Sequence, residues 1–146
     1  MDKSNRKWRK ENRIRLNDIQ TEKLKNDLHF KIKHYFRNRI RTALRAKLIS
    51  SKSHKSTELL GCDTEYFKQY IELKFKSGMN WNNYGKIWHI DHIKPCSNFD
   101  LSKPEEQKIC FNHTNLQPLW ATTEIARKYG DAVSVGNLNK GDKIFI

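Results

Sequence analysis

The stretch Trp88-His89-Ile90-Asp91-His92-Ile93-Lys94-Pro95 organises the second half of this 146-residue chain. Its apolar residues alternate with polar ones, which predicts a short strand over residues 87–93, and Pro95 ends the strand because proline has no amide proton. The adjacent Asp91 and His92 combine a carboxylate that suits a hard cation with an imidazole that accepts a proton near neutral pH. Such a pair suits the hydrolysis of a phosphodiester.

Helices are predicted on both sides of this strand. Apolar residues recur at steps of four over residues 27–49, and a second helix, capped by Asp63 or Thr64, runs to about Phe75. Polar residues 50–56 should form a flexible connector between these helices. In the long loop after Pro95, Ser102 or Pro104 can open a short helical turn through Ile109. Extended structure resumes at residues 114–116, and Thr122 or Thr123 can cap a last helix. The apolar residues of the helix over residues 27–49 form one stripe along it: Leu28, Ile32, Phe36, Ile40, Leu44 and Leu48.

The charge points to a polyanionic partner. Lys and Arg number 29 against 16 Asp and Glu, giving a formal charge of +13 and a pI near 9.8, so nucleic acid is the leading candidate. The first 25 residues form a basic segment that either orders along DNA or is a solvated helix or tail. Arg37, Arg41 and Arg45, spaced four apart, form a row that either touches phosphates or is an ordinary solvated face.

Composition disfavours membrane and disulfide-stabilised classes. No apolar run approaches the roughly 20 residues that cross a bilayer, and the start lacks a signal peptide's apolar stretch, so a soluble, intracellular protein is expected. Cys62, Cys96 and Cys110 are odd in number and form no Cys-x-x-Cys pair, which favours reduced thiols. A further alternative is a zinc-stabilised module using His89, His92, Cys96 and His113, although those spacings match no common finger pattern.

A second motif, Thr114-Asn115-Leu116-Gln117-Pro118-Leu119-Trp120, follows the first after about twenty residues. The two motifs together resemble the HNH endonucleases of phages, mobile introns and giant viruses, and Leu60-Gly61-Cys62 resembles the segment before the motif in such proteins. The resemblance covers roughly Leu59 to Lys143. It implies an α+β fold in which N-terminal helices precede a ββα-metal (HNH, His-Me finger) motif, whose helix closes over one divalent ion. That ion would be Mg²⁺, with Mn²⁺ able to substitute.

The resemblance also implies roles for individual residues. His92 matches the general base that deprotonates the attacking water, and Asp91 matches a metal ligand. Asn115 matches the residue that hydrogen-bonds the backbone of the intervening loop and so holds the histidine in place. His89 would share a strand face with Asp91 and could help to bind metal or phosphate, although a supporting or structural role is favoured.

The third metal-site residue stays open between two positions. Local similarity of the run from Asn137 to Lys143 to the usual family ending favours Asn137, and Lys140 would then contact phosphate. Spacing alone would place Glu124 there, and its carboxylate also suits a hard cation. Arg127 and Lys128 lie near Glu124 in the sequence and could grip the substrate backbone, or could face solvent.

These expectations combine into one hypothesis. Residues 1–55 form a basic helical extension that binds double-stranded DNA, and residues 56–146 form the nuclease domain. We expect a monomer or weak homodimer in the cytoplasm of a bacterial or virus-infected cell, which nicks one strand because each chain has one site. The resemblance implies 5′-phosphate and 3′-hydroxyl ends. The alternative is a protein that keeps this fold, binds DNA and has lost catalysis. Sequence specificity does not follow from the linear order.

Overall fold

The computed structural model describes residues 2–50 and 52–131, which form an α+β fold of helices and one two-stranded antiparallel sheet. The chain divides into two units, Met1–Tyr35 and Phe36–Ile146. This division falls within the third helix and well before residue 55, where the sequence analysis places the domain boundary. Within the described residues, no helix is both long and apolar enough to cross a membrane.

The first unit is helical. Helices α1 (Lys3–Glu11) and α2 (Arg13–Asn26) contain no buried residue, as their dense charge and sparse apolar residues predict. Asp2 caps α1, because its carboxylate accepts a hydrogen bond from the amide of Ser4. The basic segment is therefore helical, and its binding to DNA stays a prediction.

Helix α3 (Leu28–Ala46) confirms the predicted stripe but ends earlier than predicted. Ile32, Phe36, Ile40 and Leu44 are all buried. Leu48 was counted in the stripe, yet it adopts a φ of 58° and is 95% exposed. The left-handed turn there lets the amide of the next residue bond back to the carbonyl of Leu44, which ends the helix.

Two further helices and an unpredicted short one frame the sheet. Helix α5 (Thr64–Glu72) is capped by Asp63, as expected, but stops before Phe75. The predicted flexible connector is partly wrong, since Ser56 begins helix α4 (Ser56–Leu60) and is 7% exposed. Helix α4 contacts helix α6 (Pro104–Phe111), which lengthens the predicted helical turn in that region. Local polarity alone gave no sign that α4 would be covered.

The sheet pairs β1 (Trp88–His92) with β2 (Leu116–Trp120), in a register that sets Trp88 opposite Trp120 and His92 opposite Leu116. The second strand starts at Leu116, because residues His113–Asn115 form a 3-10 turn where extended structure was predicted. The connection between the strands holds a 3-10 turn at Cys96–Asn98 and then α6.

Helix α7 (Thr123–Lys128) follows β2 directly and is capped by the Thr122 hydroxyl. The predicted order of strand, loop, strand and helix is thus confirmed. The core around β1 is aromatic: Phe75 and Tyr84 pack on the Trp88 ring at centroid distances of 5.0 and 4.7 Å. Large side chains buried with them include Phe67, Ile71, Leu101, Phe111, Leu116 and Trp120. This core anchors β1 and leaves its C-terminal end to form the site.

Candidate functional site

The two faces of β1 carry different chemistry. Because side chains alternate along a strand, Trp88, Ile90 and His92 share one face while His89 and Asp91 share the other. The first face lies in the core, where Trp88 is 0% and His92 is 1% exposed. On the second face, Asp91 is buried and His89 is exposed. The predicted catalytic pair therefore begins on opposite sides of the strand.

The Asp91 carboxylate nevertheless turns towards His92. Its Oδ1 accepts a hydrogen bond of 2.8 Å from the backbone amide of His92 and lies 3.9 Å from Nδ1 of the same residue. The distance of 3.9 Å is too long for a hydrogen bond but short enough for an electrostatic interaction. The structure thus brings together the carboxylate and imidazole that the sequence singles out.

Arg39, on α3, is the main partner that sequence reasoning missed. Its guanidinium donates a hydrogen bond to Asp91 Oδ1, and the Asp91 side chain is only 5% exposed. The same cation affects His89: partial burial lowers the pKa of His89, Arg39 lowers it further, and Asp91 opposes both. Arg39 and Asp91 therefore form an ion pair on the face of β1 that also carries His89.

The His92 ring faces two cysteines and an aromatic ring. It packs edge-on against Phe111 at a centroid distance of 5.6 Å. Cys96 Sγ lies 3.5 Å from His92 Nε2 and 3.7 Å from Nδ1, and Cys110 Sγ lies 3.5 Å from Cys96 Sγ. Cys62, Cys96 and Cys110 are all reduced thiols.

The alternative zinc set is not assembled. His113 Nδ1 lies 2.9 Å from the Leu60 carbonyl oxygen, and its ring meets Tyr66 and Tyr70 edge-on. His89 lies across β1 from His92. Cys110, which that set omits, is the residue that joins His92 and Cys96.

Asn115 ties the connection between the strands to the start of β2. Its Oδ1 accepts a hydrogen bond from the Lys94 amide at 2.8 Å, and its Nδ2 donates to the carbonyls of Lys94 and Cys110 at 3.1 and 2.9 Å. The carboxamide can satisfy both demands because it carries an acceptor and two donors. These bonds are of the kind that the resemblance assigns to Asn115, and they hold the backbone just beyond His92.

The third metal-site residue stays open. Asn137 and Lys140 lie outside the described residues. Glu124 is exposed in the first turn of α7, and no hydrogen bond or ion pair within residues 52–131 joins it to Asp91 or His92. Its place in the site remains a prediction.

The predicted phosphate contacts are at least accessible. Arg37, Arg41 and Arg45 are exposed on α3, and Arg127 and Lys128 are exposed at the end of α7. Lys52 adds to the α3 row: burial lowers the pKa of Lys52, and the charges of Arg37 and Arg41 lower it further.

Two kinds of ligand meet at the end of β1. Asp91 supplies a hard carboxylate oxygen, which fits Mg²⁺ because that ion keeps several waters and takes one or two protein carboxylates. The group of His92, Cys96 and Cys110 is soft, and its ligand atoms all lie within 4.8 Å of one another. Thiols are poor ligands for Mg²⁺, so of the four residues Asp91, His92, Cys96 and Cys110 it is Asp91 that fits the expected ion.

Two viral proteins are similar to this chain. It is 36% identical over 138 residues to "Uncharacterized protein L246" of Acanthamoeba polyphaga mimivirus, an alignment that covers 91% of this chain and 58% of that protein. It is 43% identical over 93 residues to "Uncharacterized protein L426" of the same virus, covering 64% of this chain and 40% of that protein. The chain therefore spans about half the length of these relatives. No family model matches it. No solved structure matches it either.

Proposed function

We propose that this chain is a metal-dependent DNA endonuclease of the HNH type. The observation that carries the proposal is the approach of Asp91 Oδ1 to within 3.9 Å of His92 Nδ1, at the end of a strand that a loop, a second strand and a helix follow. A carboxylate beside an imidazole provides for both cation binding and proton transfer. The resemblance of the two motifs to HNH endonucleases names the reaction.

Each of three residues has a task in this reaction. His92 takes the proton from the attacking water, and Asp91 holds the cation beside it. Asn115 fixes the backbone after His92 through its bonds to Lys94 and Cys110. The bound Mg²⁺ would neutralise charge that develops on the phosphate and the leaving oxygen. Asn137 or Glu124 would supply the other ligand from the protein.

Catalysis requires two contacts at the site to change. The cation must replace Arg39 on the Asp91 carboxylate, and the His92 ring must reach water from a position that is 1% exposed. Both changes take place at the end of β1, where the backbone leaves the sheet. Binding of metal and DNA would provide the free energy for these changes. Each would favour an arrangement in which Asp91 is released from Arg39 and His92 reaches water.

The substrate is DNA because the chain's charge and exposed arginines suit a phosphate backbone. The formal charge of +13 and the row of Arg37, Arg41 and Arg45 provide a contact surface whose affinity weakens with salt. One site per chain cuts one strand, leaving 5′-phosphate and 3′-hydroxyl ends. Two cuts require a second chain or a second event.

A second candidate is a DNA-binding protein of the same fold without catalysis. The contacts just described favour it, since Arg39 already neutralises Asp91 and His92 is enclosed in the core. Such a protein would bind DNA in a salt-sensitive way without metal and would leave the backbone intact.

Plasmid nicking separates the two candidates. Purified protein is incubated with supercoiled plasmid and Mg²⁺ or Mn²⁺, together with the His92→Gln and Asp91→Asn variants and a His54→Ala control. His54 lies in the connector before α4 and contacts only its neighbour Ser53 among the bonds described. Thermal unfolding of each variant shows whether it is folded.

The nuclease is supported if the wild type and His54→Ala nick the plasmid, if a ligase reseals the nick, and if His92→Gln cuts at least about 100-fold more slowly. A folded His92→Gln protein that cuts like the wild type contradicts it. A wild type that binds the plasmid but never nicks it selects the binding protein.

A further inference from the structure

The group formed by His92, Cys96 and Cys110 contains two residues, Cys96 and Cys110, that have no task in the proposed nuclease reaction. It draws one residue from each of three elements: the end of β1, the 3-10 turn Cys96–Asn98, and α6. The ligand atoms lie within 4.8 Å of one another, and His92 and Cys110 are buried while Cys96 is half-buried. We propose that this group binds a thiophilic cation, Zn²⁺, at a site distinct from the Mg²⁺ site on Asp91.

The spacing of the ligand atoms fits a tetrahedral zinc ion. Bond lengths of about 2.3 Å to sulfur and about 2.0–2.1 Å to nitrogen put two sulfurs about 3.8 Å apart and a sulfur and a nitrogen about 3.5 Å apart. The two Sγ atoms are 3.5 Å apart, and Cys96 Sγ is 3.5 Å from His92 Nε2. Two of the three pairs therefore match a zinc ion within a few tenths of an ångström, and the His92–Cys110 pair, which lies within 4.8 Å, would close by at most about 1.3 Å.

Charge also favours zinc at this place. Two thiolates and a neutral imidazole carry a charge of about −2, which Zn²⁺ cancels, so the complex is neutral and its burial costs little. Two thiolates at this separation without a cation would repel one another strongly. The half-buried Cys96 gives the ion a way in.

The surroundings of His92 complete the arrangement. Nε2 is the ring nitrogen nearer to Cys96, while Nδ1 lies 3.9 Å from Asp91 Oδ1. Zinc-bound histidines commonly turn their second nitrogen towards a carboxylate, which fixes the ring and raises its basicity. Asn115 supports the site as well, because it donates to the carbonyl of Cys110.

Zinc at this site would inhibit the nuclease, a consequence that rests on the proposed function. A His92 ring bound to zinc cannot take a proton from water. Zn²⁺ added to a reaction saturated with Mg²⁺ should therefore stop nicking by occupying the base. Binding of zinc itself does not depend on the nuclease proposal.

Metal binding to the full chain tests the site directly. The wild type, Cys96→Ser/Cys110→Ser and the control Cys62→Ser are kept reduced with a phosphine and titrated with Zn²⁺ against a chromogenic chelator. Co²⁺ is then added to the wild type, since a tetrahedral thiolate site gives intense visible bands and a sulfur-to-cobalt charge-transfer band. The cobalt spectrum needs no variant, so it remains decisive if the double variant fails to fold.

We expect one Zn²⁺ per wild-type and Cys62→Ser chain, a thiolate-type cobalt spectrum, and affinity at least about 100-fold weaker in the double variant. Absence of binding, a cobalt spectrum of oxygen ligands only, or full affinity in a folded double variant would each overturn the site. Nicking is measured with and without Zn²⁺, each variant normalised to its own zinc-free rate. A wild type that binds zinc but never nicks would reject the nuclease and support the zinc site. A wild type that nicks but binds no zinc would support the nuclease and reject the zinc site.

Discussion

Arg39 on α3 donates a hydrogen bond to the carboxylate of Asp91 on β1, across 52 positions of sequence. The resemblance makes Asp91 a metal ligand, but in the structure the Arg39 guanidinium supplies the positive charge beside its carboxylate. Since the Asp91 side chain is 5% exposed, its charge would be costly without a partner. This pair therefore links the stability of the fold to the chemistry of the site.

Replacing Arg39 by Gln should destabilise the chain. Removing one partner of a fully buried pair costs about 3–5 kcal/mol. Because the Arg39 side chain is 31% exposed and water can replace part of the interaction, we expect about 1–3 kcal/mol, measured by urea unfolding. Arg45→Gln, at an exposed position of the same helix, should change stability by less than about 0.5 kcal/mol. If Arg39→Gln/Asp91→Asn lost as much as the two single changes added together, the pair would not be the cause.

Divalent cations should partly rescue the Arg39→Gln variant. The Asp91 carboxylate, no longer bonded to Arg39, would then be available to Mg²⁺, and an ion that binds only the folded chain raises its stability. The melting temperature of Arg39→Gln should rise with Mg²⁺ by more than that of the wild type. The rise should vanish in Arg39→Gln/Asp91→Asn. An equal rise in all three proteins would place the ion elsewhere.

The sequence predicted the elements that depend on neighbours along the chain. The step of four from Ile32 to Leu44 locates the buried face of α3, and Thr122 marks the start of α7, because helical periodicity and capping are local properties. The alternation of apolar and polar residues around Asp91 predicted β1, because the two-residue period of a strand is also a local property. The end of α3 was misplaced because Leu48 takes a left-handed conformation that usually belongs to glycine.

Contacts between distant residues could not be predicted in this way. The Ser53 amide donates to the Gln107 side chain at 2.8 Å, 54 positions away, and this bond orders part of a segment expected to be flexible. Arg39 lies among several arginines of α3, and nothing local distinguishes it as the one that meets Asp91. The three bonds of Asn115 were expected only through the resemblance to HNH endonucleases. Cys110 meets His92 and Cys96 because α6 packs against the end of β1, which is a contact between distant parts of the sequence.

Gly78 should tolerate a side chain less well than Gly130. Both have positive φ, 98° and 73°. A Cβ at Gly78 would lie 2.5 Å from the Tyr129 ring, which stacks on Trp120, while one at Gly130 would meet nothing within 4 Å. We expect Gly130→Ala to cost about 1–2 kcal/mol for its backbone conformation and Gly78→Ala about 1 kcal/mol more for the disturbed stack, measured by urea unfolding. Equal losses would mean that the ring moves aside freely.

Glu72 should make the chain more stable above the acid range than within it. Its carboxylate accepts a hydrogen bond of 2.7 Å from Trp81 Nε1, which, with the help of Lys68, lowers the pKa of Glu72 below its ordinary value of 4.5. A carboxyl group with a lowered pKa contributes stability above its unfolded pKa and loses it as the pH falls through the folded value. Glu72→Gln should therefore be less stable than the wild type at pH 7, and the difference should shrink on acidification. Trp81→Phe should flatten the same pH dependence, and an unchanged acid limb in both variants would contradict this assignment.

Asn115 should be essential to the loop that follows His92, and substitution by Ala or Asp separates its two tasks. Ala removes all three hydrogen bonds to Lys94 and Cys110, and leaves polar backbone groups unsatisfied, which costs about 1–3 kcal/mol. Asp keeps an acceptor for the Lys94 amide but has no donor for the two carbonyls, so its loss should fall between those of Ala and the wild type. Asn98→Ala, an exposed amide on the same loop, is the matched control and should unfold like the wild type. Because Asn115 acts through the backbone beside His92, nicking by the Ala variant should fall through kcat with little change in DNA affinity. Weakened DNA binding with normal kcat would instead make Asn115 a substrate contact.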